Sequence, residues 1–410
     1  MNLDDRRQRE NTYSDIDRLF VARCAAAAVT IFENPRIFNN GLNRMKKITR
    51  LAAATLLASA LLPVAASAAT PATYNWTTLG NTLDGFVTKQ KTPPEGKVNG
   101  YSFELVSKTG VLYSRAGGNI KAGTVVPLAS SSKLPAAVAI LTLTNAGRLN
   151  LDAPISGFLA GSAVSWPADK AAITMRMLLN HTSGLPGLND NYPSCINNEN
   201  SETFAQCVQE VANSPLVYTP GTAYDYGGAD YQVAGYVAMW VASASSWEAF
   251  FKSAVAKPLN LSTLTWGNPN TLPNPRIAGG AQSAVADYAG LLQVLLNDGM
   301  YGTKQFLRPG TVTNALELNQ IEGLPILNFA PVLSPTDFPG YSFGLFNAAP
   351  FMNAPSTGTE FSDPGSTGPA PWFDTGLGYG AVLLINDDST TGIDMWNAAR
   401  PLIIQQMTAN

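Results

Sequence analysis

Histidine is almost absent from this chain, because His181 is the only one among its 410 residues. A single histidine excludes most metal sites that use several histidine ligands. A Ser-His-Asp triad could likewise be built only around His181. Charged residues are also scarce, at 13% of the chain, whereas a hydrophobic share of 45% is ordinary for a globular protein. The composition therefore indicates neither a metal site nor another cofactor.

The N-terminal part consists of two segments that precede the predicted folded protein. Residues 1–44 are polar, contain several arginines and show no clear periodicity, which predicts a non-native or disordered extension. From Met45 to Ala68, a charged start is followed by an apolar run over 51–66 and a small-residue cleavage site, the pattern of a signal peptide. The run is short and contains Pro63, which argues against a membrane span. We therefore expect translation to begin at Met45 and the protein to be periplasmic or secreted. An amphipathic N-terminal anchor is the alternative.

Cleavage after Ala68 leaves a mature chain with 16 basic and 23 acidic residues, a net charge of −7. Such an acidic chain is a poor partner for nucleic acid or for an anionic membrane. Two cysteines remain, Cys195 and Cys207, and in an oxidising compartment we expect them to form a disulfide. Closing a loop of this size would stabilise the fold by roughly 3 kcal/mol. Two free thiols are the alternative.

The pattern of apolar residues and turns predicts a sheet of early and late strands with helices packed on it. Residues 101–107 and 111–115 alternate apolar and polar side chains around a glycine turn, which indicates a β-hairpin. A nearly continuous apolar run over 377–385 is typical of a central strand. One predicted helix follows Ser130 and ends near Gly147. The other predicted helices are 76–89, 175–180, 229–244, 247–256, 285–296 and 391–407. We therefore predict a sheet domain formed by 69–128 and 279–410, with a mostly helical domain of 129–278 inserted in it.

The most informative stretch runs from Leu128 to Ile140 and reads LASSSKLPAAVAI. Ser130 and Lys133 are three residues apart, so on a helix they share one face. If Ser131 or Ser132 caps the helix, Ser130 lies at its positive end, which favours an oxyanion. A partly buried lysine with a lowered pKa can take the proton of a serine hydroxyl and so activate it as a nucleophile. The alternative is a structural role, in which a serine caps the helix and the lysine lies on the surface. The Ser-x-x-Lys spacing occurs at no other lysine of the chain, which favours the catalytic interpretation.

Five motifs together resemble those of a known family. They are LASSSK at 128–133, LLNHTSGLP at 178–186, PGTAYDYGGADYQVAGY at 220–236, GGAQS at 279–283 and GSTG at 365–368. In this order they are similar to the motifs of serine hydrolases of the β-lactamase and penicillin-binding-protein fold. The branch that they resemble contains class C β-lactamases, D-Ala-D-Ala carboxypeptidases and family VIII carboxylesterases, and the resemblance covers about residues 100–390. It implies an α/β (α+β) fold in which helices flank an antiparallel sheet and a mostly helical domain is inserted.

The resemblance also implies roles for individual residues. Ser130 would be the acylated nucleophile, Lys133 its proton partner, and Tyr226 the phenol that shuttles the proton. Tyr224 is the competing tyrosine. His181 would be structural, holding the turn after its helix through side-chain hydrogen bonds. The positions that would contact substrate are Gly228, Ser366, Thr367 and Gly368.

Three departures from the family pattern bear on the substrate. Gly228 replaces the asparagine of a Tyr-x-Asn motif, which removes an amide that would contact an acylamino side chain. Ser366 replaces the lysine of a Lys-Thr-Gly motif, which removes a cation for a substrate carboxylate. Pro369 lacks the N–H that relatives use in the oxyanion hole, so that either Ala370 donates instead or turnover is weak.

We therefore predict a serine hydrolase that acts on a small-molecule ester or amide, with small or short-acyl esters favoured. A β-lactamase or D-Ala-D-Ala carboxypeptidase is the alternative within the same chemistry. A catalytically impaired protein that keeps the pocket for binding is the alternative outside it. No metal, cofactor, nucleic acid or membrane partner is expected for the mature chain.

Overall fold

A six-stranded antiparallel sheet forms the centre of the described part of the chain. In the computed structural model the described residues are 73–88, 98–198, 200, 202–329, 340–347 and 358–409. The predicted extension at 1–44 and signal peptide at 45–68 lie outside them. The strands are β1 (Gly100–Ser107), β2 (Gly110–Gly118), β3 (Val126–Pro127), β4 (Tyr224–Asp225), β5 (Gln282–Ser283), β6 (Met300–Tyr301), β7 (Lys304–Gln305), β8 (Ile326–Asn328), β9 (Phe346–Asn347), β10 (Glu360–Ser362), β11 (Ala370–Asp374) and β12 (Tyr379–Leu384).

The large sheet has the strand order β2-β1-β12-β11-β10-β9, so that the early hairpin pairs with the late strands. The junction is the antiparallel pairing of β1 with β12, in which Ser102 lies opposite Leu384 and Ser107 lies opposite Tyr379. The remaining short strands form two-stranded pairs, β3 with β5, β4 with β8, and β6 with β7. This arrangement confirms the predicted mixed fold with an antiparallel sheet of early and late strands.

The described helices are α1 (Thr77–Thr88), α2 (Lys133–Asn145), α3 (Ile155–Phe158), α4 (Met175–Leu179), α5 (Phe204–Asn213), α6 (Ala229–Val241), α7 (Trp247–Phe251), α8 (Val285–Leu296) and α9 (Ser389–Ala409). Short 3-10 turns lie at Ala129–Ser132, Ala168–Lys170 and Ser194–Asn197, and π-helical turns at Lys252–Ala256 and Val312–Glu317. The predicted helix 247–256 therefore ends early and continues as a π turn. None of the described helices has both the length and the apolar character that a membrane span requires.

Both faces of the sheet are covered at β12, which explains why this strand has no charged residue along its length. All six residues of β12 are buried, and its side chains alternate between two cores. Ala381 and Leu383 pack with Trp396 of α9 in one core. Val382 and Leu384 belong to the other core, which α8 shares with the helices between residues 129 and 278.

The helices between residues 129 and 278 pack around α6, whose neighbours include α2, α4 and α5. Strands β1, β2, β9, β10, β11 and β12 of the large sheet lie outside this interval. From Thr70 onward the chain forms one compact unit. The predicted division into an inserted helical domain and a sheet domain stays a prediction.

The helix that follows Ser130 ends as its sequence predicts. Gly147 has a φ of +70°, a left-handed conformation that a glycine adopts without steric cost. The backbone N–H of Arg148 donates to the carbonyl of Leu143 at 2.9 Å, and that of Gly147 to Thr144 at 3.0 Å. These bonds satisfy carbonyls at the helix end and stop α2 at Asn145.

Candidate active site

Ser130 lies in the 3-10 turn Ala129–Ser132, immediately before α2 begins at Lys133. Ala129 has a φ of +47°, a conformation that is uncommon for a residue with a side chain and that sharpens the turn. Ser130 is half-buried and opens onto a cavity, whereas Lys133 is buried. The turn therefore presents a serine at the start of a long helix with the lysine one turn behind it.

Ser132 is the N-cap residue of α2, one of the two predicted candidates, but the side-chain bond expected of a capping serine is not formed. Neither Ser131 nor Ser132 makes a side-chain cap bond to α2, because both hydroxyls bind other segments. Ser131 donates to the backbone carbonyl of Asp363, and Ser132 accepts from the backbone N–H of Ala281 at 3.0 Å. The serine cluster thus fixes the turn against the segments that carry the GGAQS and GSTG motifs.

Lys133 is an amine held inside the protein next to a phenol. Only 2% of its surface is exposed, and its Nζ donates to the carbonyl of Ala278 at 3.1 Å. The same Nζ lies 4.5 Å from the ring centroid of Tyr226. Burial lowers the pKa of Lys133 to about 7, with the charge of Asp363 opposing this shift and that of Arg276 adding to it. A neutral amine is therefore well populated near neutral pH.

Asp363 is the buried carboxyl group that acts on Lys133, and the sequence motifs did not point to it. Its Oδ2 accepts from the backbone N–H of Leu134 at 3.1 Å and from the hydroxyl of Tyr288 at 3.4 Å. Burial raises the pKa of Asp363 well above its usual range, and the charge of Lys133 opposes that rise. The carboxyl group is thus placed at the start of α2, where it acts electrostatically on the lysine.

Replacing Asp363 with asparagine tests this coupling. The amide keeps the shape of the carboxyl group but removes the negative charge that raises the pKa of Lys133, so that the lysine loses its proton at lower pH. We expect the rise of kcat/KM with pH, measured with a neutral p-nitrophenyl ester between pH 5 and 9, to move to lower pH. The exposed Glu322→Gln variant is the control. A rise that stays in place or moves upward would show that Asp363 does not set the protonation of the base.

Tyr226 is the tyrosine that the structure brings to Ser130. It is 2% exposed, and it lines the same cavity as Ser130. Burial raises the pKa of Tyr226 and the nearby Ser130 side chain opposes that rise, so the group is a protonated phenol near neutral pH. Tyr224 packs against His181 and Tyr341, with ring centroids 5.9 and 5.4 Å apart, and is not among the described residues of the cavity lining.

His181 lies behind Tyr226, with the two ring centroids 4.8 Å apart. It is fully buried, and its Nδ1 lies 3.0 Å from the Oδ2 of Asp230 on α6. Ser183 donates to the same carboxyl group. Burial lowers the pKa of His181 well below its usual range, which keeps the imidazole neutral. The imidazole is thus bound to Asp230 of α6 and not to a residue of its own turn. It also packs against the ring of Tyr226.

Ser130, Lys133 and Tyr226 share one cavity of about 190 Å³. Its described lining residues are Ala129, Ser130, Lys133, Leu188, Tyr192, Ile196, Asn197, Tyr226, Gly227, Gly228, Arg276, Ala278, Gly279 and Ser366. Thr367, Gly368 and His181 are not in this lining. Thr367 donates to the carbonyl of Pro127 at 3.4 Å, and Gly368 packs beside Ile385. Of the GSTG motif, only Ser366 reaches the cavity among the described residues.

The cavity combines a serine, a buried amine and a phenol on a sheet flanked by helices, and sequence comparison names the family. The sequence model of the family described as Beta-lactamase matches residues 81–402. The chain belongs to the beta-lactamase family. This family is one of serine hydrolases, and it includes esterases and peptidases.

Relatives of the beta-lactamase family differ widely in their names. An Escherichia coli K12 protein named "Putative D-alanyl-D-alanine carboxypeptidase" is 26% identical over 46% of this chain and 55% of its own length. The match thus spans about half the length of that relative. The solved structure of EstCE1, described as a hydrolase with promiscuous acyltransferase activity, has a TM-score of 0.63 at 19% identity, covering 78% of this chain and 98% of EstCE1. An octameric penicillin-binding protein homologue from Pyrococcus abyssi has a TM-score of 0.58 at 20% identity, covering 75% and 74%. At these identities the structures show a shared fold.

Gly228 stands where other members of the beta-lactamase family carry an asparagine, and the structure shows why a side chain is absent. A Cβ at this position would collide with the hydroxyl of Tyr192. That hydroxyl thus lies directly against the backbone of Gly228. Tyr192 therefore fills the space of the missing side chain and supplies its own polar group to the cavity. No local sequence pattern marks this contact, because the two residues are 36 positions apart along the chain.

The wall that contains Tyr192 is held by a disulfide. Cys195 and Cys207 are bonded, as the sequence predicts. The side chain of Asn274 donates to the carbonyl of Cys195 at 2.8 Å, which ties this loop to the segment that carries Arg276. The described residues also bring Glu202 and Glu210 near Cys195. The Cys195 sulfur is already used in the disulfide, so the group lacks a thiolate for a metal.

The GSTG segment lies close against the nucleophile turn. A Cβ on Gly365 would collide with the carbonyl oxygen of Leu128, so only glycine permits this approach. The carbonyl of Pro369 accepts from the N–H of Gly365 at 2.8 Å. Ala370 is buried at the start of β11, and neither it nor Pro369 is among the described residues of the cavity lining. The two alternatives that follow from Pro369, an Ala370 donor or weak turnover, stay predictions.

Proposed function

We propose that this protein hydrolyses small or short-acyl esters through an acyl-enzyme on Ser130. The observation that carries the proposal is that Ser130, Lys133 and Tyr226 line one cavity, in which the Lys133 amine lies 4.5 Å from the ring centroid of Tyr226. Nucleophile, proton relay and base are thus within one small space, as nucleophilic catalysis requires. EstCE1, described as a hydrolase with promiscuous acyltransferase activity, shares the fold and supports a mechanism that transfers an acyl group.

The directions of the two pKa shifts indicate which group accepts the serine proton in this proposal. The raised pKa of Tyr226 keeps its phenol protonated, whereas the pKa of Lys133 near 7 makes the amine the group that can accept a proton. Ser130 Oγ attacks the ester carbonyl carbon, and its proton passes through the phenol to the amine. Collapse of the tetrahedral intermediate breaks the bond to the alcohol, which leaves with that proton. Water then attacks the acyl-enzyme along the same relay, and the acid and free Ser130 are regenerated.

Esters are favoured over β-lactams and peptides because of two residues. Ser366 offers a neutral hydroxyl where relatives carry a lysine. The carboxylate that β-lactams and peptides carry next to the reacting amide would therefore have no cation to bind at this position. The hydroxyl of Tyr192 occupies the space of the family asparagine at Gly228. The Ser366 hydroxyl remains a hydrogen-bond donor on that side of the cavity, which suits the neutral group of a simple ester.

A substrate panel tests this preference. We expect kcat/KM for p-nitrophenyl butyrate to exceed that for nitrocefin by about tenfold or more, since one charge-assisted hydrogen bond is missing for the lactam carboxylate. The Ser366→Lys variant restores a cation at this position and should raise nitrocefin turnover relative to the ester. Equal turnover of the two substrates by the wild type would contradict the ester assignment and favour a β-lactamase.

We also propose that the mature protein acts outside the cytoplasm. The signal-peptide pattern at 45–68 motivates this proposal, and the Cys195–Cys207 disulfide supports it because such bonds persist in oxidising compartments. N-terminal sequencing of protein recovered from the periplasm or medium tests it, with a start near Ala69 as the expected result. An uncleaved chain that begins at Met1 would contradict it.

A further inference from the structure

Gly228 lines the same cavity as Ser130, although its backbone conformation does not require a glycine. Its φ is −97°, a value that residues with a side chain adopt without strain. A Cβ at this position would nevertheless collide with the hydroxyl of Tyr192 and lie only 2.9 Å from the Cγ2 of Ile196. These two side chains therefore close the space next to Gly228, and the cavity has no room for further atoms there.

The segment that carries Tyr192 is anchored to α6, the helix whose N-cap is Gly228. Asn274 is fully buried, and its side chain donates to the backbone carbonyl of Cys195 at 2.8 Å. The same side chain accepts from Gln232 of α6 at 2.7 Å. The disulfide closes this segment as well. Moving Tyr192 away with its segment would therefore break buried hydrogen bonds, which is costly.

Tyr192 belongs to a largely apolar wall of the cavity that also contains Leu188 and Ile196, the 188–196 wall. The backbone N–H of Leu188 donates to the carbonyl of Tyr226 at 2.9 Å, which holds this end of the wall next to the proton relay. Leu188 is 37% exposed, whereas Ile196 is buried. The wall therefore extends from the rim of the cavity into its interior.

The acyl group is the part of an ester that this wall restricts most strictly. In the proposed mechanism the alcohol leaves when the acyl-enzyme forms, whereas the acyl group stays bonded to Ser130 until water releases it. The acyl group must therefore fit the cavity in both steps. The cavity measures about 190 Å³, and the space beside Gly228 is already taken by Tyr192.

We propose that Tyr192 limits the length of the acyl chain, because its phenol closes the space beside Gly228. This inference rests on the proposed ester hydrolysis and names the residue that sets its preference for short acyl groups. Tyr192 is a specificity-determining residue and takes no part in the proton transfer. Removal of its ring opens the space between Gly228 and Ile196 to a longer chain.

Two esters that differ by two methylenes test the proposal. We measure kcat/KM for p-nitrophenyl hexanoate and p-nitrophenyl butyrate and take their ratio. Tyr192→Ala should raise this ratio by about tenfold or more, the usual discrimination of a methylene by an apolar pocket. Tyr192→Phe, which loses only the hydroxyl, should raise it by a smaller factor and serves if Tyr192→Ala does not fold. The exposed Tyr301→Ala is the matched control and should keep the wild-type ratio.

The contact can also be tested from the side of Gly228. Gly228→Ala should lower kcat/KM for p-nitrophenyl butyrate by about tenfold or more, because the added Cβ collides with the Tyr192 hydroxyl and displaces the wall. Tyr192→Phe removes the colliding oxygen, so the double variant should recover part of this loss. A double variant that shows the product of the two single losses would mean that the residues act independently, which would overturn the proposal.

An unchanged hexanoate-to-butyrate ratio in both Tyr192 variants would also overturn it, while leaving Ser130-dependent ester hydrolysis intact. Binding of butanamide and of hexanamide to the Ser130→Ala protein tests the wall without turnover. Adding Tyr192→Ala should shift the ratio of the two dissociation constants by about tenfold in favour of hexanamide. This shift supports the size limit even if the wild type hydrolyses neither ester. Its absence counts against the size limit in the same way as an unchanged kinetic ratio.

Discussion

Replacing Ser130 with alanine is expected to lower kcat/KM for p-nitrophenyl butyrate by about 10⁴-fold or more. The alanine removes the oxygen that attacks the carbonyl, and the neighbouring lysine and tyrosine offer no equivalent nucleophile in the same turn. Losses of this size are typical when the nucleophile of a serine hydrolase is removed, because only binding and oxyanion stabilisation remain. Initial rates over a range of ester concentrations measure the effect.

The control for this variant is the exposed Ser253→Ala, which removes a hydroxyl far along the chain from the turn. Thermal unfolding of both variants checks that the fold is retained. Because Ser131 and Ser132 bind Asp363 and Ala281, their replacement would disturb the turn itself and would not serve as a control. Ester hydrolysis by Ser130→Ala at more than a few per cent of the wild-type rate would exclude the mechanism.

Replacing Lys133 with methionine is expected to lower kcat/KM by about 10²- to 10⁴-fold, the usual contribution of a positioned general base. Methionine keeps an unbranched side chain in the buried space but cannot accept the serine proton. In the wild type, kcat/KM should rise with pH through about 7 as Lys133 loses its proton. This rise should disappear in the variant. A pH profile of each protein on a neutral ester measures both effects.

Lys170 offers a matched control because it is also buried, at 2% exposure, but pairs with Asp169 away from the cavity lining. Its replacement by methionine should leave the rise near pH 7 in place. A Lys133→Met protein that kept both the rate and the rise would show that another group takes the proton. The phenol of Tyr226 would then be the group to test next.

The sequence alone predicted those parts of the site that are encoded by short motifs. Ser130 and Lys133 are close because they stand one helical turn apart, which local spacing determines. Tyr226 was preferred to Tyr224 from the position of its motif, and the structure places it in the same cavity as Ser130. The hairpin and the late central strand were also predictable, because a buried strand shows a short apolar run.

The residues that sequence analysis missed reach the site through contacts between distant segments. Asp363 bonds the backbone of Leu134 across 229 positions of the chain. Tyr192 and Arg276 enter from a disulfide-held loop and from a turn that the motifs do not cover. No local pattern marks such residues, so they can be found only from packing.

The missing side-chain bond at the helix cap has the same physical origin. Ser131 and Ser132 had the residue type and position of capping serines, yet their hydroxyls bind Asp363 and Ala281. Tertiary hydrogen bonds thus replaced the local ones.

The most direct test of the central claim is the mass of the protein quenched with acid during turnover of p-nitrophenyl butyrate. The account predicts an increase by one butyryl group, located by peptide mapping on the segment that contains Ser130, and no such increase in the Ser130→Ala protein. An adduct on another residue, or the same adduct in the alanine variant, would contradict the account.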